Sequence, residues 1–388
     1  MKATIHEERT GRFHSCIPQG LIVLMTEDEM KRSAIIFKLS LIALIAALTA
    51  SAQDREIVRK ADEYLGAQVK LGRFSGSVLV ARKGEVLYKK SFGMANIELN
   101  APNTPQTKFR IGSITEQFTA MAVLILEEQK KLNTSDSAGK YLPGYPNGDK
   151  ITIHHLLTHT SGIPSFTEFP EYAKAKFLPS PVAKTIELFK AEPLEFQPGE
   201  RFKYSNSGYV LLTAIIEKAS GMTYERFIQE RIFGPLGMQD SGYDHNSTVL
   251  KNRALGYSQS DGRLVNAPYI DMSVPSGAGA LYSTVEDLYL WDRALYTEKL
   301  VGKSSLEKIF SPFKEDYGYG WVIKPVEGRK RIWHNGGIEG FLAEISRFPD
   351  SEVCIIVLSN FDFAPTGRIR NDLAAIVFGD AYELPGNR

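Results

Sequence analysis

Three short segments of the chain carry side chains that together can perform acyl-transfer chemistry. The segment Ser113-Ile114-Thr115-Glu116 sets a hydroxyl and a carboxylate three positions apart, and Tyr204-Ser205-Asn206 and His334-Asn335-Gly336 follow at long separations. A serine hydroxyl is a weak nucleophile until a neighbouring group takes its proton. If folding brings the three segments together, they predict nucleophilic catalysis by Ser113.

Ser113 and Glu116 are expected to lie on one face of a helix. The residues from Gln117 to Met121 favour a helix that begins at Gly112-Ser113, and positions three apart are neighbours on a helix surface. The unpaired N–H groups of a first turn favour negative charge developing on the serine oxygen. However, S-x-x-E is also the capping-box pattern, in which both side chains would only cap the helix.

The other two segments are open to similar alternatives. Tyr204 and Asn206 lie two apart on a loop that enters a helix, where a phenol can relay a proton and an amide can orient a carbonyl. The same residue types are also ordinary helix-capping chemistry. His334 is predicted to lie on a strand that ends in Gly336-Gly337, whose backbone N–H groups can face a bound oxyanion.

A metal site is not predicted, although His155 and His159 have the i, i+4 spacing of zinc-binding helices. No glutamate follows His155, as the zinc-protease pattern requires. We therefore expect neither a metal nor another cofactor.

Strand patterns occur at both ends of the chain, and helical patterns fill the middle. Near the start, a Lys83-Gly84 turn between two apolar runs predicts a hairpin. Towards the carboxyl end, strands are predicted at Gly320–Ile323, Arg331–His334, Phe341–Phe348 and Val353–Ser359, and a helix at about Arg368–Phe378. The predicted fold class is α+β: one antiparallel sheet built from both chain ends and flanked by helices, with an inserted all-helical lobe at about residues 118–265.

The amino-terminal stretch predicts an export signal. The basic residues Met30-Lys31-Arg32 precede an apolar run from Ile35 to Leu48, and Ala50-Ser51-Ala52 supplies a small-x-small cleavage pattern. The run is short for a membrane span, so contact with a membrane is expected only through this signal, with an uncleaved anchor as the alternative. We expect residues 1–29 to be a mis-assigned start or a leader, 30–52 a signal peptide and 53–388 the domain, exported to the periplasm or secreted.

The bulk composition excludes some functions. The chain has 388 residues, of which 43% are apolar, enough for a large core. Its 46 Lys and Arg residues against 45 Asp and Glu residues give a formal charge of +1, which does not favour a nucleic-acid partner. Of two cysteines, Cys16 falls in the predicted leader, so Cys354 is expected to be a buried apolar residue without a disulfide partner.

Taken together, the three segments resemble the serine β-lactamase-related family, which includes class C β-lactamases, D-alanyl-D-alanine carboxypeptidases, D-aminopeptidases and family VIII esterases. The resemblance spans roughly residues 57–378. The further stretches that carry it are Phe109-Arg110-Ile111-Gly112-Ser113, Leu156-Leu157-Thr158-His159-Thr160-Ser161-Gly162, Pro198–Tyr209, Ile232-Phe233-Gly234-Pro235-Leu236-Gly237-Met238 and Gly279-Ala280-Leu281-Tyr282-Ser283-Thr284. The resemblance implies a β-lactamase/transpeptidase-like fold.

The resemblance also implies catalytic roles. Ser113 would be the acylated nucleophile, and Tyr204 the general base or the acid that protonates the leaving group. The backbone N–H groups of Ser113 and Gly337 would form the oxyanion hole.

Substrate binding would fall to a second group of residues by the same resemblance. Asn206 matches the substrate-positioning amide. His334, followed by Asn335 and Gly336, stands in place of the lysine of the family's K-T/S-G strand.

Glu116 departs from the family, which has a lysine at this position to deprotonate the serine. A carboxylate can accept that proton, yet it reverses the local charge. It should raise the pKa of Tyr204 and repel ligands that carry a carboxylate. Weak or altered hydrolysis, directed to neutral esters, is therefore expected.

Two functions follow from these residues. The first is an exported serine hydrolase that acts through an acyl-enzyme on amide, ester or β-lactam bonds, impaired by Glu116. The alternative is a catalytically inactive, penicillin-binding-like protein that binds peptidoglycan peptides or a protein partner. Under either function, we expect a small acyl, peptide or β-lactam ligand.

Overall fold

The structure is a computed structural model and describes residues 27–386. Two compact units divide the chain, one up to Arg55 and one from Glu56 onward. Most of the predicted leader lies outside the described residues, and the predicted signal segment belongs to the long first helix, Glu27–Lys70. Within the described range, no helix has both the length and the apolar character needed to cross a bilayer. The division into leader, signal and domain stays a prediction.

Helices and strands follow one another along the described residues. The helices are α1 (Glu27–Lys70), α2 (Thr115–Glu128), α3 (Ile153–Leu157), α4 (Tyr172–Ala175), α5 (Val182–Glu187), α6 (Asn206–Ser220), α7 (Tyr224–Ile228), α8 (Gly234–Leu236), α9 (Val285–Ala294), α10 (Lys303–Ile309) and α11 (Thr366–Phe378). The strands are β1 (Gly76–Arg82), β2 (Glu85–Phe92), β3 (Met94–Asn96), β4 (Ala101–Pro102), β5 (Phe109–Arg110), β6 (Gly242–Tyr243), β7 (Tyr257–Ser260), β8 (Arg263–Asn266), β9 (Leu281–Ser283), β10 (Val322–Ile323), β11 (Ile332–Ile338), β12 (Phe341–Phe348) and β13 (Val353–Ser359).

The main sheet has six antiparallel strands in the order β10-β11-β12-β13-β1-β2. The first strand pairs with the last along its whole length, with Val78 opposite Val357. The two chain ends therefore meet in the middle of one sheet, which confirms the predicted α+β fold class. Helices α3 to α8 occupy the middle of the chain, and the short strands β6 to β8 follow them before residue 267.

Strand β13 shows how the sheet organises the core. Its residues alternate between two hydrophobic clusters: Ile355 and Val357 pack with residues of α1 and α11, whereas Cys354 and Ile356 belong to the larger cluster that contains α2 and α9. A strand covered by helices on both faces is apolar throughout, and this explains the unbroken run Val353–Leu358. Cys354 is buried, as predicted.

Candidate active site

Ser113 lies in a single 3-10 turn, Gly112–Ile114, immediately before α2. The predicted α-helix therefore begins at Thr115, and Ser113 is not its capping residue: Ile114 holds that position, without a side-chain hydrogen bond. The capping-box interpretation of Ser113 and Glu116 is wrong, because Glu116 points into the protein interior and has other partners there.

Strand β11 packs directly against this turn. The strand does not end at its glycines, as the sequence suggested, but continues through Gly336 and Gly337 to Ile338. A Cβ atom on Gly336 would overlap the Ile111 carbonyl and lie 3.0 Å from the Ser113 amide nitrogen. One on Gly112 would lie 2.7 Å from the Gly337 amide nitrogen. Glycine is thus required for this approach, which brings the Ser113 and Gly337 amides to one place.

Residues of two of the sequence segments, and the glycine that follows the third, meet at a cavity of about 90 Å³. Ser113, Asn206 and Gly337 line it together. The remaining lining residues come mostly from neighbouring loops: Phe166, Thr167, Tyr172, Ile270, Pro275, Ala278, Gly279, Ile338 and Glu339. The convergence on which the sequence argument depended is therefore present.

Tyr204 connects the serine to the glutamate. Its phenol donates a hydrogen bond to Glu116 Oε1 over 2.7 Å, and the Ser113 hydroxyl is close enough to the phenol to lower its pKa. Burial, and secondly the Glu116 carboxylate, raise the pKa of Tyr204 well above its usual value and outweigh this effect of Ser113. The predicted effect of Glu116 on the Tyr204 pKa is confirmed in direction. At neutral pH the phenol keeps its proton.

The second oxygen of Glu116 is held by residues that the sequence argument did not select. Tyr317 donates to Oε2 over 3.0 Å, and His159 Nε2 lies 3.3 Å from the same oxygen. The Glu116 side chain is fully buried. In the described part of the chain, only His159 and His334 Nε2, the latter at 3.8 Å, are cationic candidates within ion-pair distance. Hydrogen bonds, rather than a lysine or arginine, therefore solvate this carboxylate.

The hydrogen-bond partners of the two histidines assign their tautomers. His159 Nδ1 accepts from the Ser205 backbone N–H over 3.2 Å, so the proton is on Nε2, facing Glu116. His334 Nδ1 donates to the Asn335 carbonyl over 2.6 Å, and burial lowers the pKa of His334 despite the nearby Glu116. The neutral His334 then has an unprotonated Nε2 2.8 Å from the Tyr317 hydroxyl, and this nitrogen and Glu116 Oε2 compete for the single proton of that hydroxyl.

His159 and Tyr317 reach the site from loops, which explains why pattern reasoning missed them. His159 was considered only for a zinc helix, and it adopts a positive φ of 53° just beyond the end of α3. Tyr317 lies in a loop anchored by backbone hydrogen bonds from Gly318 to Trp321 and from Tyr319 to Ile309. The cluster of aromatic and glycine residues around Tyr317 was the available signal.

The remaining predicted residues divide between the site and its surroundings. Asn206 donates from Nδ2 to Thr167 Oγ1 over 3.0 Å at the cavity wall. Asn335 contributes its carbonyl to His334, but its side chain is exposed and does not line the cavity. His334 and Gly336 do not line the cavity either, and His334 Nε2 instead faces Tyr317 and Glu116.

The two histidines that have the spacing of a zinc-binding helix take other roles. Among the described residues, no group of three or more His, Cys, Asp or Glu side chains is arranged to hold an ion. His155 instead accepts from the Thr152 backbone N–H over 3.2 Å in the capping box of α3.

A family model described as Beta-lactamase matches residues 54–378. The chain belongs to the beta-lactamase family. This family member is 34% identical to penicillin-binding protein 4* of Bacillus subtilis over 346 residues, covering 81% of this chain and 74% of that protein. It is 36% identical to the putative penicillin-binding protein PbpX of the same organism over 303 residues, covering 77% of this chain and 74% of the relative.

Solved structures place this beta-lactamase family member in the same fold. The octameric penicillin-binding protein homologue from Pyrococcus abyssi superposes with a TM-score of 0.74 at 34% identity, covering 84% of this chain and 79% of that one. A D-stereospecific amidohydrolase from Streptomyces superposes with a TM-score of 0.72 at 24% identity, covering 83% and 99%. At that lower identity, the likeness concerns the fold alone. The family relationship confirms a serine hydrolase architecture.

Proposed function

We propose that this protein is an exported serine hydrolase that forms an acyl-enzyme on Ser113, with Glu116 as the final acceptor of the serine proton. The observation that carries the proposal is the 2.7 Å hydrogen bond that the Tyr204 phenol donates to Glu116 Oε1, beside a Ser113 hydroxyl close enough to influence the phenol. Glu116 can therefore act as a base, reached through Tyr204, without the family's lysine.

Acylation requires two coupled proton transfers. The Ser113 oxygen attacks the substrate carbonyl carbon, and the carbonyl π electrons move onto oxygen. The serine proton passes to the Tyr204 oxygen while the phenol proton passes to Glu116 Oε1. A free tyrosinate is not required, which is necessary because the Tyr204 pKa lies far above neutral pH.

The same two groups complete the cycle in reverse. When the tetrahedral intermediate collapses, Tyr204 protonates the departing alcohol or amine and recovers a proton from Glu116. A water molecule then attacks the acyl-enzyme, delivers its proton along the same route, and Ser113 regains a proton as it leaves. Glu116 returns to the carboxylate after each half-reaction.

The backbone amides of Ser113 and Gly337 supply the proposed oxyanion hole. Both line the 90 Å³ cavity or its floor, at the point where β11 meets the serine turn. Amide dipoles fixed by a strand and a tight turn need no reorganisation when charge develops on the substrate oxygen. Asn206 is placed to orient the substrate from the opposite wall.

Charge and volume favour small, uncharged acyl groups. Of the described residues that line the cavity, none is Lys, Arg or His, and the carboxylate of Glu339 is already paired with Lys176 at 2.8 Å. A substrate carboxylate would therefore find no free cation and would approach the buried Glu116. We propose neutral esters or amides in preference to β-lactams or peptides that end in a carboxylate.

Two further observations support export and a role at the cell wall. The basic and apolar pattern between Met30 and Ala52 supports secretion or a periplasmic location. The names of the Bacillus relatives, which are penicillin-binding proteins, support a peptidoglycan-related substrate. Mass determination of the mature amino terminus after expression in a secreting host tests the export: a chain that starts at Gln53 is expected.

Covalent labelling tests the proposed nucleophile. Intact-protein mass spectrometry after incubation with a fluorophosphonate should show one adduct, and a slower one with benzylpenicillin, because only the penicillin carries a carboxylate. Ser113→Ala should abolish both adducts, whereas Ser304→Ala, an exposed serine of α10, should keep them. Absence of any adduct would favour the alternative, a non-catalytic binding protein.

A further inference from the structure

A second and larger cavity lies away from the catalytic serine, between the sheet and helix α11. It measures about 480 Å³, and its lining mixes arginines with apolar side chains. Arg331, Ser346 and Arg370 line it together with Phe348 and Phe378. His334 and Trp333 are consecutive on β11, so their side chains face opposite sides of the sheet. The arginine cavity therefore lies on the face of β11 that is turned away from Glu116.

Arg331 is a partly buried cation without an anionic partner. One of its terminal nitrogens donates to Asn371 Oδ1 over 3.0 Å, but its Nε–H is buried and has no hydrogen-bond partner. In the described structure, no carboxylate forms an ion pair with it. Burial and the neighbouring Arg370 lower the pKa of Arg331 to about 10, so the guanidinium still carries its charge at neutral pH.

Three of the four acids around the cavity have other partners. Asp380 is bound by Arg329, and the carboxylate of Glu344 accepts from Arg370 over 2.7 Å. Asp372 lies 3.4 Å from Arg368 Nε and also accepts a hydrogen bond from Tyr64. The fourth, Glu327, lies on an exposed turn. Among the described arginines that line the cavity, Arg331 is therefore the one without an ion pair.

Ser346 provides a second, independent indication of a ligand. It is fully buried on β12 and lines the cavity, yet its hydroxyl has no hydrogen-bond partner. Buried polar atoms are normally hydrogen-bonded, so the Ser346 hydroxyl on the cavity wall is a group that a water molecule or a ligand in the cavity can satisfy. The Arg331 guanidinium is held in position over the Trp333 ring, 5.2 Å from its centroid, with Arg370 at 4.3 Å from the same ring.

We infer that this cavity binds a small organic monoanion, a carboxylate that carries an apolar group. The carboxylate would accept from Arg331 Nε and from the Ser346 hydroxyl, and the apolar group would lie against Phe348 and Phe378. An Arg–carboxylate pair uses the fixed donor geometry of the guanidinium. A single arginine without an ion pair matches a monoanion better than a dianion such as a phosphate monoester.

Ligand-observed fluorine NMR with 4-fluorobenzoate tests this inference. The protein carries Ser113→Ala, so that the probe cannot be confused with an acylating ligand and the result does not depend on catalysis. Saturable binding of 4-fluorobenzoate is expected, with no binding of the neutral 4-fluorobenzamide. Arg331→Gln should weaken binding roughly ten- to hundred-fold, Arg331→Lys should be intermediate, and Ser346→Ala should weaken it to a smaller extent.

Arg329→Gln is the matched control, because this arginine lines the same cavity but is already paired with Asp380. Its affinity for the probe should be close to that of the parent protein. Equal affinity in the Arg331→Gln variant, or no saturable binding of 4-fluorobenzoate, overturns the inference. Tighter binding of inorganic phosphate than of the benzoate overturns the assigned ligand class. Melting curves for every variant show whether the fold is retained.

Discussion

The Tyr204 phenol donates a 2.7 Å hydrogen bond to Glu116 Oε1, so the glutamate occupies the place of a proton acceptor in this active site. Tyr317 and His159 hold its other oxygen. A buried carboxylate is unfavourable unless hydrogen bonds replace its solvation, and here three side chains do so. This arrangement leads to distinct expectations for substitutions at position 116.

Glu116→Gln should lower kcat/KM for p-nitrophenyl acetate by about 10²–10⁴-fold, the usual contribution of a general base. Glutamine has nearly the same shape but cannot accept the proton. Steady-state kinetics together with a melting curve measure the effect. If the variant keeps wild-type turnover, Glu116 is not the proton acceptor.

Tyr204→Phe should cause a loss of similar size, because it removes the link between Ser113 and Glu116. The double variant with Glu116→Gln should be little worse than either single variant, since two residues that act as one unit are not additive. Kinetics of all four proteins form the test. Independent, multiplying losses would contradict a shared proton path.

Glu116→Lys should not restore the activity expected of the family's lysine. Tyr204, Tyr317 and His159 all direct donor groups at this side chain, and a lysine ammonium only donates. We expect lower turnover of p-nitrophenyl acetate and a lower melting temperature. Increased hydrolysis of this ester or of nitrocefin would instead indicate an active site that has lost its base.

Gly336→Ala should destabilise the protein by about 1–3 kcal/mol through overpacking and should also reduce acylation. The added methyl group meets the Ile111 carbonyl and the Ser113 amide. Gly66→Ala, in α1 with open space around its Cβ position, is the control and should stabilise slightly, by about 0.5–1 kcal/mol. Urea unfolding and fluorophosphonate labelling rates measure both effects.

The affinity of the arginine cavity for 4-fluorobenzoate should rise as the pH falls from 8 to 6. Burial raises the pKa of Glu344 to about 7, although pairing with Arg370 acts in the opposite direction. Below that value Glu344 is neutral and no longer offsets Arg370, so the site gains positive charge; Arg331 stays protonated throughout. The nearby Arg329–Asp380 pair adds no net charge.

The probe remains ionised over this pH range, so the change would belong to the protein. Glu344→Gln should remove most of the dependence, and titrations at pH 6, 7 and 8 measure it. An affinity that is equally pH-dependent in this variant would show that another group titrates.

The sequence predicts elements better than it predicts the partners of their side chains. Strands β12 and β13 were predicted with their observed bounds, because β13 begins with an unbroken apolar run and a Pro349-Asp350 turn separates it from β12. The serine, tyrosine and asparagine could be selected because they lie in recognisable local motifs. His159 and Tyr317 could not, since their role depends on loops that converge from distant positions. The cavity beside Arg331 depends on side-chain packing, which produces no periodic pattern in the sequence.

Helix α2 is buried from Thr115 to Leu126, and the catalytic turn leads directly into it. The helix that follows Ser113 is thus also a central part of the hydrophobic core. A partly melted molecule cannot keep an assembled catalytic centre, and heat inactivation should accompany loss of the native fold. Efforts to redesign selectivity are better aimed at the cavity-lining side chains Phe166 and Tyr172 than at helix α2.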